Sequence, residues 1–344
     1  MKSDNGKGRN SWVRSRRSIA VAFFVLGVGA TYAAMLIWKT PVPISRGRLI
    51  RAGQQSLIDP LLGCEVADQK EFTELKPIKD GLAKTMAENK DKGLIRSASV
   101  YLQTMDSGRW FDLNGDEKYS PASMLKIVTM MAYLRLAEID PHVLSQRLVY
   151  NDQVDRNNDQ TIKPSQTLQK GQSYTIDELM RRAITYSDNN TDFLLSKSID
   201  PKNLNEVYAD LNLPQPKSPA EHDFMTAKNY AFIFRVLYGS TYLSHTFSEK
   251  ALDLLTKTEF KDGIVRPLSG NMVVAHKFGE RVLLKAPDTV VERELHDCGI
   301  VYYPKHPYLL CVMTCGQSLD ELQTVIQSIS QTAYASIDKL FHPK

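Results

Sequence analysis

Cysteine is scarce in this 344-residue chain, which has only Cys64, Cys298, Cys311 and Cys315. That is too few for a disulfide-packed miniprotein. The seven histidines are scattered, with no His-x-x-x-His or His-Glu-x-x-His pair to hold a catalytic zinc. Repeats and low-complexity tracts are missing as well, which excludes collagen-like and disordered classes. Nor is there a charge of one sign. Lys and Arg number 43 against 39 Asp and Glu, but residues 1–17 alone hold six bases and one acid. Without them the chain has 37 basic and 38 acidic residues, so the body is neutral and offers no nucleic-acid surface. The rest is ordinary globular composition, 42% hydrophobic and 24% charged, enough for one large domain or two modest ones.

The basic surplus precedes an uncharged run. Residues 19–38 (IAVAFFVLGVGATYAAMLIW) are long enough to span a bilayer as a helix. Lys2, Lys7, Arg9, Arg14, Arg16 and Arg17 place the tail 1–18 in the cytoplasm and everything after residue 38 outside. The alternative is a signal peptide removed after secretion, for which Thr31-Tyr32-Ala33 is a poor cleavage site. In an exported body the four cysteines can form disulfides in three pairings, and the sequence does not choose among them.

Residues 39–65, with Pro41, Pro43, Pro60 and three arginines, read as a juxtamembrane linker, leaving 66–344 as the folded domain. Helical periodicity marks 75–92, and 98–102 with 109–113 reads as a hairpin. Ser120-Pro121 resembles a helix start, with Ser as the cap of a helix running to about Glu138. Residues 141–172 are polar and irregular. Helices are expected near 175–186, 190–198, 226–238 and 248–257. Strands near 271–278 and 296–303 bracket a polar loop, a strand covers 308–314, and a last helix spans 318–336. Strands at both ends and helices between them predict an α+β fold, an antiparallel sheet flanked by helices with an all-helical subdomain, preceded by one transmembrane helix.

Three short motifs carry chemistry. Ser123-Met124-Leu125-Lys126 sets a hydroxyl and an amine one helical turn apart, where a desolvated Lys can serve as base and the helix start can hold an oxyanion. Ser187-Asp188-Asn189 follows a predicted helix, and Lys277-Phe278-Gly279-Glu280 lies near a strand end. Taken singly, each reads as a cap, a loop or a solvated charge. In this order and context they resemble the penicillin-recognising serine hydrolases, specifically the class A β-lactamase branch, over roughly residues 70–340. The resemblance implies Ser123 as acylated nucleophile and Lys126 as its proton acceptor. It implies Ser187 as the relay toward the leaving nitrogen and Asn189 as a substrate amide contact. Lys277 would supply positive potential, and the backbone N–H groups of Ser123 and Glu280, beside Gly279, would form the oxyanion hole.

Three departures qualify that implication. Phe278 stands where the family has a hydroxyl residue that helps hold the substrate carboxylate. Glu280 brings an acid close to it, with Arg281 or Arg266 as possible compensation. The third is an absence: no Glu-x-x-x-Asn, the family's deacylation motif, occurs between Asn205 and Thr226. Glu221 is the surrogate base this loop offers, and together with Asp223 it otherwise reads as helix-start charge. The expectation is a monomeric, membrane-anchored extracytoplasmic serine hydrolase acting on β-lactams or cell-wall peptides, with no cofactor and no metal. The alternatives are a penicillin-binding or D-Ala-D-Ala peptidase-like acylating enzyme, and a degenerate module that binds cell wall without turnover.

Overall fold

The apolar run Tyr308–Gly316 is buried along its whole length, and a strand buried on both faces needs a packed layer on each side. The computed structural model describes residues 49–51, 56–64, 73–218, 221–286 and 289–342, within one unit, Arg48–Lys344. The strands are β1 (Leu49–Arg51), β2 (Leu61–Cys64), β3 (Ser97–Thr104), β4 (Trp110–Leu113), β5 (Arg147–Val149), β6 (Ser173–Thr175), β7 (Val274–Ala286), β8 (Thr289–Val301) and β9 (Tyr308–Gly316). The helices are α1 (Lys76–Asp91), α2 (Lys126–Ile139), α3 (Ile176–Thr185), α4 (Asn189–Ser198), α5 (Pro201–Asp210), α6 (Ala227–Tyr238), α7 (His245–Thr256) and α8 (Leu319–Phe341). An antiparallel sheet runs β4–β3–β9–β8–β7, and β1–β2 and β5–β6 form two small ribbons.

Alternation along β9 divides the core. Tyr308, Leu310 and Val312 face a cluster built with α1 and α8, whose Leu322, Val325, Ile326, Ile329 and Ala333 recur at helical spacing. Leu309, Cys311, Met313 and Cys315 face the cluster that holds α2, α3, α6 and α7. Helix α2 is the hub of that second layer. Every residue from Lys126 to Leu134 is buried, so that part of the helix has no solvent stripe. Cys298 and Cys311 stand opposite each other on β8 and β9 and form a disulfide, while Cys315 is a buried free thiol.

The α+β arrangement matches the expectation, with five local corrections. The expected polar loop between residues 278 and 296 is instead the outer half of the long β7–β8 hairpin. There Arg281 stands opposite Glu294, while Arg293 and Glu292 stand opposite Val282 and Leu283. Helix α5 was not expected, although Asp200 caps it by accepting from Lys202 N–H and Pro201 starts it. Ser120 is not a side-chain cap. The chain first makes a 3-10 turn, Ala122–Leu125, and α2 begins only at Lys126. Part of the expected linker belongs to the body. Ile58 is buried, Asp59 N–H donates to Tyr238 O, and Tyr302 Oη donates to Leu57 O. Residues 141–172 hold two 3-10 turns and β5, and they fold back on the Ser187 segment. The expected transmembrane helix at 19–38 lies outside the described residues, among which no helix is long and apolar enough to cross a membrane.

Candidate active site

The turn that carries Ser123 is held from three sides. Ser120 N–H donates to Glu294 Oε2 at 3.3 Å, and His296 Nε2 donates to Ser120 O at 3.0 Å. His296 Nδ1 accepts from Thr314 N–H at 3.2 Å, so the two contacts together fix the ring as the Nε2–H tautomer. Buried Tyr230 donates to Met124 O at 3.0 Å. Ala122 adopts φ 47°, an unfavourable left-handed conformation for a residue with a Cβ, directly before Ser123. Three residues per turn align Ser123 with Lys126, since positions i and i+3 eclipse in a 3-10 helix.

Strand β7 approaches this turn through Gly279. A Cβ there would lie 2.7 Å from Pro121 O and 2.9 Å from Met124 Cγ, so only glycine lets the strand pass. Glu280 is thereby brought to the wall of a cavity of about 410 Å³ that Ser123, Lys126 and Asn189 also line.

Two lysines converge on one hydroxyl. Lys126 donates to Ser187 O at 2.6 Å, to Asn189 Oδ1 at 2.7 Å and to Ser187 Oγ at 3.3 Å. Lys277 donates to Ser187 Oγ at 2.8 Å and to Phe278 O at 2.9 Å. Burial pushes the Lys126 amine down to about 8, against the pull of Asp192, Asp188 and Glu280. Burial, and then the neighbouring Lys126, push Lys277 well below the usual lysine range. Ser187 itself has φ 58°, so strain marks the residues on both sides of the site.

Asp188 anchors the rest. Its Oδ1 accepts from Asn157 Nδ2 at 2.8 Å and Asn190 N–H at 3.0 Å, and its Oδ2 accepts from Thr191 Oγ1 at 2.6 Å. Gln160 donates to Ser187 O at 3.0 Å. Residues 155–167 are therefore stitched to the Ser187 segment rather than lying loose on the surface.

The structure brings Ser123, Lys126, Ser187, Asn189, Lys277, Gly279 and Glu280 together, and it leaves Glu221 out. Glu221 accepts from Lys217 N–H in its own loop and does not line the cavity. Phe278 turns away into the core, its ring tilted against Phe260 with centroids 4.4 Å apart. Arg281 lines the cavity but gives its guanidinium to Asp223 at 2.6 Å, and Arg266 is paired with Asp262 at 2.9 Å on the surface. Neither offers the expected compensation for Glu280. Sequence reading missed Asp159, Gln160 and Asp192, which also line the cavity. The signal for Asp192 was its place three residues after Asn189 on α4, hence on the same helical face.

Among the described residues one group has metal-ligand chemistry: Glu292, Glu294 and Cys315, with donor atoms within 4.8 Å of one another. Arg96 already serves it, donating to Glu292 Oε1 at 3.0 Å and to Cys315 Sγ at 3.2 Å. Burial pushes the Cys315 thiol up to about 12, so it is no ready thiolate.

Solved structures share this fold. A β-lactamase from Sphaerobacter thermophilus superposes with TM-score 0.62 at 21% identity, covering 77% of this chain and 98% of its own. PBP-A gives TM-score 0.64 at 17% identity, with coverage of 80% and 100%. A reconstructed class A β-lactamase, the last common ancestor of those of Gram-negative bacteria, gives 0.62 at 22% identity, with coverage of 75% and 99%. A search of curated proteins returned no match. The profile of the β-lactamase enzyme family matches residues 80–337, three quarters of the chain. The chain belongs to that family.

Proposed function

We propose that this chain is a serine hydrolase that forms an acyl-enzyme on Ser123 with β-lactams or with the D-Ala-D-Ala ends of cell-wall peptides. The observation that carries the reading is the Ser187 hydroxyl between Lys277, 2.8 Å away, and Lys126, 3.3 Å away, with Lys126 and Ser123 on one cavity. Lys126 in its neutral form takes the proton of Ser123, whose Oγ attacks the carbonyl carbon. Backbone N–H groups of Ser123 and Glu280 receive the oxyanion. When the tetrahedral adduct collapses, Ser187 gives its proton to the leaving nitrogen and regains one from the lysines. A PBP-A variant has been captured as its acyl-enzyme complex with penicillin G, at 18% identity and TM-score 0.62, which supports the same chemistry on this fold.

Intact mass of the purified full-length chain mixed with penicillin G, followed from seconds to hours beside Ser123→Ala, tests the reading. A mass increase in the wild type alone is expected. No adduct in the wild type would leave a binding module as the better account. Glu221 standing off the cavity favours a second reading, in which the adduct persists as in a penicillin-binding protein.

The same proposal places residues 19–38 across a membrane, with 1–18 cytoplasmic and a monomeric body outside. The full-length chain should then stay in the membrane pellet after an alkaline carbonate wash. Release into the supernatant would point to a cleaved, secreted form.

A further inference from the structure

Hydrolysis of an acyl-enzyme needs a base for water, and Glu221, the candidate in the sequence, is bonded within its own loop away from Ser123. The cavity holds another acid. Asp192 sits in the first turn of α4, one helical turn past Asn189, and lines the cavity with Ser123 and Lys126. The residue as a whole is half-buried, yet its Oδ1 is sealed from bulk solvent and has no hydrogen-bond partner. A buried carboxylate oxygen without a donor is costly unless something fills its place during function.

We propose that Asp192 is the general base of deacylation, holding the hydrolytic water between its free Oδ1 and the carbonyl carbon of the Ser123 ester. The assignment rests on the acyl-enzyme reading and names the residue that turns acylation into turnover. Asp192 takes a proton from the water as the water oxygen bonds to the acyl carbon. The bond from that carbon to Ser123 Oγ breaks, and the proton passes from Asp192 through Lys126 to Oγ. The products are a carboxylic acid and free Ser123, with no oxidant or metal required. Burial raises the Asp192 carboxyl above its ordinary range, which makes it a stronger base than a solvated Asp. The groups facing it are Lys126 and Thr129 on α2, Lys277 on β7, Asp188 before α4 and Tyr208 on α5. Lys126 is the largest of the opposing charges and the natural partner for returning the proton.

The test is the time course of the Ser123 adduct with penicillin G and with a small activated ester, in full-length wild type, Asp192→Asn and Asp192→Glu. Asparagine keeps the shape and can still accept from Thr129, and a thermal melt reports whether each variant folds. In Asp192→Asn the adduct should form and then outlive the wild-type adduct by about a hundredfold or more, the usual worth of a general base. Asp192→Glu should recover part of the lost rate, which a purely structural role would not predict. An adduct lifetime unchanged in a folded Asp192→Asn protein overturns the assignment. So does loss of the adduct itself in that variant, because Asp192 would then act on Lys126 rather than on water. A wild type that forms no adduct with either reagent overturns the acyl-enzyme reading and the assignment with it.

Discussion

Glu280 accepts the Ile162 N–H at 2.7 Å through Oε1 and leaves Oε2 buried without a partner. Asp159 and Asp192 line the same cavity, and Arg281 spends its charge on Asp223. An incoming carboxylate therefore meets acids on the cavity wall, while Lys126 and Lys277 are already engaged with the Ser187 segment. Glu280→Gln keeps an oxygen for Ile162 and removes the charge. Adduct formation with penicillin G should speed up by about tenfold, roughly 1.4 kcal/mol, at low salt and by less at high salt. Stopped-flow mixing at two ionic strengths measures it, and equal rates in wild type and variant would mean that Glu280 does not oppose the substrate.

At the level of elements, the decisive contact is β7 against the Ser123 turn. Gly279→Ala would push a methyl into Pro121 O and Met124 Cγ, at a strain of about 1–3 kcal/mol. If the strand yields, the Glu280 N–H moves away from Ser123. Adduct formation should then fall at least tenfold while the melt still shows one folded transition. A variant that acylates at the wild-type rate would remove the oxyanion role given to this strand. The elements differ in how well the sequence shows them. Helix α6 was visible because Thr226 and Asn229 cap each other at its start and the apolar face recurs at helical spacing. The outer β7–β8 hairpin was not, because Lys285, Pro287 and Asp288 interrupt its apolar runs and read as a loop when the partner strand is unknown. Helix α5 carried an Asp-Pro start that was legible, but only Val207 among its residues is buried, so its apolar signal is weak.

Across the whole molecule, the parts of the site that sequence reading found are those whose chemistry is local. Ser123 and Lys126 are one turn apart, Ser187 and Asn189 share one segment, and Gly279 sits beside Lys277. What it missed comes from elsewhere in the fold. Gln160 reaches Ser187 O from a turn 27 residues earlier in the chain. Glu221 is singled out by loop position alone, whereas the fold puts Asp192, on α4, on the cavity wall. Loop length alone cannot show this; only the packing of α4 against α2 and α3 does.

The pair of buried amines around Ser187 has a consequence for the resting protein. Two ammonium groups sharing one hydroxyl in a dry site repel each other, and burial lowers both pKa values. The resting protein thus holds a proton vacancy that solvated lysines would not have near neutrality. Because the Lys126 value falls from 10.5 to about 8, the vacancy deepens as pH rises through about 8, and acidification fills it and disarms the base. The site behaves as a small proton reservoir kept partly empty, and under the proposed acyl-enzyme chemistry each acylation draws on it.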